Sequence, residues 1–208
     1  ATERALNYAS EGGFDLLLTH HPMIFRKLEA VTPATLGGNR AVAALGGDIS
    51  VISLHTRLDA GRGGVNDSLV EKLGYTSSET FGDDESPALG RIFELESPIG
   101  AEAFPLSVKG KLGAQPVRLT GCKAVKRIAV VGGAGGDFVL SAILSGADML
   151  LCGECSYNAA QDAAEQGLCV LEAGHYHTEF PVCRRLLSLA EECGIGGEIF
   201  ESCDHITL

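Results

Sequence analysis

Apolar residues fall in short runs alternating with helical stripes, and the alternation sharpens in the second half of the chain. Within residues 1–11, Ala5, Leu6 and Ala9 share one helical stripe, which Gly12-Gly13 ends. The run Leu16, Leu17, Leu18 then predicts a strand over 15–19, buried on both faces as in a parallel sheet and stopped by Pro22. An Ala-rich helix is predicted over 40–47, a β-branched buried strand over 50–55, a turn over 57–64, and a helix over 65–73 ended by Gly74. Residues 76–90, rich in Ser, Asp, Glu and Gly, predict a mobile loop. A strand with one wetter face follows over 90–96, and 97–121 carries scattered Pro and Gly. Beyond 121 the rhythm is strand 127–131, helix 137–145, strand 148–152, helix 156–166, strand 168–172, amphipathic helix 180–193 and a last strand 198–202. This pattern specifies an α/β fold with largely parallel sheets flanked by helices. The chain divides into an N-terminal half, 1–100, and a C-terminal half, 101–208.

Composition narrows the function. With 208 residues, 45% hydrophobic and 21% charged, the chain can bury a substantial core. A net charge of −11 argues against a broad nucleic-acid face and against adhesion to anionic membranes. No apolar run approaches the length of a membrane span and no basic, apolar leader opens the chain, so a cytoplasmic protein is expected. Seven cysteines scattered through apolar patterns fit reduced thiols better than a disulfide framework.

The chemistry concentrates at predicted strand ends, where open α/β sheets place their ligands. His20 and His21 follow the first strand, and adjacent side chains there reach one ion only if the chain turns between them. His55 closes the second strand, with Asp59 four residues on as a hard ligand or a turn-capping residue. His175 is placed at the last strand's end and Glu179 at the start of the following helix, where its charge could also serve as a cap. His177 is read as a surface residue or as a hydrogen-bond donor behind the ligands. His, His, Asp, His and Glu suit borderline divalent metals. Five side chains shared by two ions leave positions for water and substrate oxygens. Glu179, favoured as an anion by the helix dipole, is the carboxylate expected to bridge. The glycines of Val131-Gly-Gly-Ala-Gly-Gly-Asp137 lack the Lys-Ser/Thr ending of a P-loop, which favours tight packing over a phosphate cradle. Cys152-Gly-Glu-Cys155 offers a redox dithiol or half a zinc site.

Four segments in order, Asp15-Leu-Leu-Leu-Thr-His-His-Pro-Met-Ile-Phe25, Ser53-Leu-His-Thr-Arg-Leu-Asp59 with Gly63-Gly-Val-Asn-Asp67, Cys152-Gly-Glu154, and Ala173-Gly-His-Tyr-His-Thr-Glu179, resemble the GTP cyclohydrolase I type 2 homologues, the Nif-three-like family. The resemblance implies two metal ions per chain (Zn, Mn, Fe, Co or Ni) held by His20, His21, Asp59, His175 and Glu179. It also implies two interleaved α/β domains and a toroidal homohexamer. It further implies a helix and strand ahead of Ala1, so this chain is expected to be a fragment. The family often has a histidine just after the Gly-Glu motif, where this chain reads Cys155-Ser-Tyr-Asn158. The expected function is that of a metal-dependent hydrolase acting on a small molecule, a nucleotide or other phosphate-containing substrate. Glu179 or His55 would handle protons. The alternative is a metal-handling or regulatory binding protein without turnover.

Overall fold

A computed structural model describes residues 1–83, 88–114, 116–121 and 123–201. Residues 84–87 of the expected mobile loop lie outside that description, as do Cys122 and the segment from Ser202 to the end. The chain forms two compact units, Ala1–Leu58 with Phe200, and Asp59–Ile199. The division expected between residues 100 and 101 falls between β4 (Gly90–Gly100) and the strand it pairs with, β6 (Ala124–Ala134).

In the first unit, α1 (Glu3–Glu11) starts where the Thr2 hydroxyl accepts the Ala5 N–H, and its Ala5, Leu6 and Ala9 are buried as the stripe requires. The chain continues through β1 (Leu16–Thr19), α2 (Leu36–Gly46) and β2 (Ser50–Ser53), and β1 and β2 pair in parallel. Leu6, Ala9, Ala44 and Ile49 make the core, with Phe14, Leu17, Met23 and Val51 against it. The predicted burial of β1 on both faces does not hold. Leu16 is 37% and Ile52 48% exposed, because among the described residues this sheet has two strands and a core on one side. Two further readings are corrected here. His55 does not close β2, and 57–60 is not a turn: both belong to α3 (His55–Ala60).

The second unit has a mixed sheet in the order β3-β4-β6-β7-β8-β5, where β3 is Glu79–Phe81, β7 Met149–Glu154, β8 Cys169–Glu172 and β5 Arg118–Thr120. β6, β7 and β8 are mutually parallel, while β3, β4 and β5 join antiparallel. Strand alternation sends Ile128, Val130, Met149, Leu151 and Leu171 to one face, against Leu69, Phe93, Phe104 and Val108. It sends Ala129, Val131, Leu150 and Val170 to the other, against Val139, Ala142, Ala160 and Ala163. The first face is covered by α4 (Val65–Lys72) and α5 (Ala103–Leu112), the second by α6 (Val139–Leu144) and α7 (Tyr157–Glu165). The sequence thus predicted the class and the central β6-α6-β7-α7-β8 rhythm. It missed β3 inside the expected loop and α5 and β5 inside 97–121. The predicted last strand is absent over 198–201. Among the described residues no helix is long and apolar enough to cross a membrane.

Candidate metal centre

Each unit carries donors, built locally from its own elements. In the first, the chain bends at His20 and His21 directly after β1. The Thr19 hydroxyl donates to the His21 carbonyl at 2.9 Å and lies 2.8 Å from the Ser53 hydroxyl, which ties the bend to β2. The Leu54 N–H donates to Thr19 O (3.1 Å) and the His55 N–H to His20 O (2.9 Å), extending the ladder past the last strand residues. The turn required for both imidazoles to face one space is therefore present. The ring centroids of His20 and His21 lie 4.8 Å apart, and those of His20 and His55 5.4 Å. His21 and His55 are 5.6 Å apart, and the Phe25 ring stands edge-on to His55 at 6.4 Å. Three imidazoles so close offer several nitrogen donors to a cation, which binds them in their neutral form.

In the second unit, β7 ends on Glu154, and Gly174 at φ 86° turns the chain from β8 into α8 (His175–Glu179). His175 is the first residue of α8 and Glu179 the last, so Glu179 does not open a helix as expected. The intervening turn is itself helical, and α9 (Val182–Glu192) begins three residues later. The dipole argument for Glu179 as the bridging anion therefore falls at α8, whose C-terminus it occupies. The i,i+4 spacing does hold His175 Nε2 3.0 Å from Glu179 Oε1, while Nδ1 lies 3.1 Å from Glu154 Oε1. The hydrogen bond to Glu179 raises the His175 imidazole to about 9; partial burial opposes this, and the Glu179 charge and Glu154 add to it. Two carboxylates around one imidazole form a cation-seeking arrangement. Glu154, which holds Nδ1 and so leaves Nε2 to face Glu179, is a residue of this cluster that strand-end reasoning did not single out. His177 is half-buried with its ring edge-on to Tyr176 at 5.5 Å.

Close packing around α8 explains the glycine run. A Cβ at Gly133 (φ 68°) would strike the Glu179 carboxylate and sit 3.1 Å from His175 Nε2. A Cβ at Gly153 would lie 2.7 Å from Gly133 O, His175 Cα and Thr178 Oγ1. Space beside these donors thus exists only because glycine supplies it. Thr178, fully buried, accepts the Gly133 N–H at 3.1 Å and has the Gly174 and His175 carbonyls at 3.0 Å. At Gly135 a Cβ would meet Cys152 Sγ at 2.9 Å, in line with the expected packing role.

Asp59 is the fifth residue of α3 and half-buried. Its backbone is anchored by Asn66, 1% exposed, whose Nδ2 donates to Asp59 O (3.2 Å) and Leu89 O (2.8 Å) and whose Oδ1 accepts the Gly132 N–H (2.7 Å). The Arg91 guanidinium holds the next two carbonyls, of Ala60 and Gly61, each at 3.1 Å, and pairs with Asp67 at 2.5 Å. Burial alone would raise the Asp67 carboxyl. The Arg91 hydrogen bond, the Gly63 N–H and the Arg91 charge together hold it below the usual range. The Asn66-Asp67 pair of the second motif therefore sets where the Asp59 and Gly132 backbones lie.

The cysteines at 152, 155, 169, 183 and 193 are thiols, and Cys122 and Cys203 lie outside the described residues. Burial pushes the Cys152 and Cys155 thiols up, leaving little thiolate for the dithiol chemistry that the Cys-x-x-Cys spacing offered.

The sequence model of the family described as Duf34/NIF3 (NGG1p interacting factor 3) matches residues 1–203. A GTP cyclohydrolase 1 type 2 homolog of Clostridium perfringens is 35% identical over 198 residues, covering 92% of this chain and 75% of that protein. Among solved structures, a protein of unknown function, ybgI, is 30% identical with a TM-score of 0.80, covering 92% of this chain and 76% of that one. A Staphylococcus aureus protein shares the fold at a TM-score of 0.85 and 22% identity, covering 100% and 85%.

Proposed function

Because the chain belongs to the Duf34/NIF3 family, we propose that it is a divalent-metal-dependent hydrolase acting on a nucleotide or other phosphate-containing small molecule, with His20, His21, Asp59, His175 and Glu179 as metal ligands. The observation that carries this reading is His175, its Nδ1 held by Glu154 and its Nε2 turned to Glu179, beside a glycine whose missing side chain keeps the space open. The donor set fits the group: imidazoles and carboxylates suit Zn, Mn, Fe, Co or Ni.

When bound, the ions supply Lewis-acid polarisation of a substrate oxygen and lower the pKa of a water. The chain's own residues orient and move protons. Glu154 fixes the tautomer of His175, Asn66 and Arg91 fix the backbone around Asp59, and His55 sits among the imidazoles of the first unit as a proton acceptor.

The test is elemental analysis of protein purified without a metal column, followed by assay of the metal-loaded protein for formate and phosphate release across a nucleotide panel. Bound divalent metal with saturable turnover that Asp59→Ala abolishes is expected. Tightly held metal with no turnover on any nucleotide would replace the hydrolase reading with that of a metal-handling protein.

A further inference from the structure

We propose a second ligand site, for a small zwitterionic amino-carboxylate with an apolar side chain, in the groove between β5, β8 and α7, with Glu172 taking the ammonium and Arg118 the carboxylate. The groove has a volume of about 500 Å³, the size range of small-molecule pockets. Leu119, Ala160 and Ala164 line it with apolar surface, and Tyr157, 75% exposed, stands at its rim.

Its polar feature is Glu172, a carboxylate only 5% exposed at the end of β8. One oxygen is satisfied, since Oε1 accepts the Cys155 N–H at 3.0 Å. The other has no hydrogen bond: Arg118 Nε lies 3.2 Å from Oε2 but without the alignment a hydrogen bond needs. A buried carboxylate left so has a strong demand for a donor cation. Arg118 covers it from the solvent side, with its side chain 66% exposed on an edge strand, and an ion pair with so exposed a partner is easily exchanged.

An incoming ammonium can therefore displace the guanidinium from Oε2 and supply the missing hydrogen bond. The released guanidinium, with its fork of N–H donors, then receives the ligand's carboxylate. One ion pair becomes two, one for each charge of the ligand. A simple amine would strand Arg118 and a simple acid would leave Glu172 covered as before, which is why both charges are assigned to one ligand. The apolar walls and the Tyr157 ring take its side chain. This site does not rest on the metal-centre reading.

Calorimetric titration of the full chain with L-phenylalanine tests the assignment, with phenethylamine and N-acetyl-phenylalanine as probes lacking one charge. Saturable binding of phenylalanine is expected, weakened at least about tenfold for either single-charge probe and by Arg118→Ala or Glu172→Gln. Should Glu172→Gln fail to fold, Arg118→Ala and Tyr157→Ala, both at exposed positions, carry the same test. No saturation by about 10 mM would overturn the proposal. So would binding that EDTA abolishes and these variants leave unchanged, which would mark chelation of a metal elsewhere.

Discussion

Glu154 shows how a residue can matter for a site without being one of its expected ligands. It reaches His175 Nδ1 at 3.1 Å from the end of a different strand, and its removal leaves the ring free to turn away from Glu179. Glu154→Gln should therefore lower metal affinity about 10- to 100-fold with little loss of stability, read by competition against a chromogenic chelator and by thermal unfolding of the metal-free protein. Asp67 governs a different property. Its folded-state pKa is depressed by Arg91 and the Gly63 N–H, so its contribution is fully present above the unfolded value near 3.9 and is lost as the pH falls through the lower folded value. Urea midpoints measured from pH 5 downward should drop less steeply in Asp67→Asn than in the parent, because the variant has already lost that term. At this scale the sequence singles out His20, His21, His55, Asp59, His175 and Glu179 from strand ends and motif. Glu154 stands in the Cys152-Gly-Glu154 motif without an assigned role, because its partnership with His175 depends on β7 and β8 lying side by side, and no local pattern encodes that pairing.

Among the elements, those that carry their own signal were legible and those that borrow it were not. β6, β7 and β8 are apolar on both faces and separated by the helices α6 and α7, the second of which is capped where Ser156 accepts the Ala159 N–H. α5 was hidden because Pro105 and Gly110 read as breakers. Pro105, however, is the third residue of the helix, inside the first turn, where a missing N–H costs nothing, and Phe104 and Val108 bury the face that holds it. β3 exposes all but Phe81 and exists by pairing with β4. α3 and α8 are single short turns whose polar sequences carry no apolar stripe, so His55 and Glu179 were assigned to the wrong ends of the neighbouring elements. The same contrast predicts dynamics. Amides of β6, β7 and β8, buried on both faces, should exchange with deuterium more slowly than those of β1 and β2, whose outward side chains are solvated. Equal protection across the two sheets would contradict this.

At the level of the whole molecule, the two units differ in resources. Ala1–Leu58 rests on a small core centred on Leu6, Ala9, Ala44 and Ile49, and Asp59–Ile199 on apolar layers over both faces of a six-stranded sheet. A divalent ion that binds the folded chain and not the unfolded one stabilises it by an amount that grows with the logarithm of free metal over Kd. The metal-loaded chain should thus gain thermal stability, and EDTA should reverse the gain in a melting scan. The homohexamer that the sequence resemblance implies is a proposal, and under it native mass spectrometry is expected to give six copies of the 21.7 kDa chain. A monomer at micromolar concentration would remove the ring from the proposal.

The short parallel pair of β1 and β2 also bears on how the protein behaves at high concentration. Among the described residues neither strand has a second strand neighbour, so each has one backbone edge outside the ladder, beside exposed Leu16 and Ile52. Such an edge is a template onto which a stray extended segment can add, the first step of aggregation. The sequence answers with a carboxylate at each approach, Asp15 before β1 and Asp48 before β2, acting as gatekeepers whose like charges repel a matching strand. Neutralising both, as Asp15→Asn with Asp48→Asn, should leave the fold intact yet raise light scattering on storage, most sharply as added salt screens what remains of the parent's net charge of −11 after the loss of those two carboxylates.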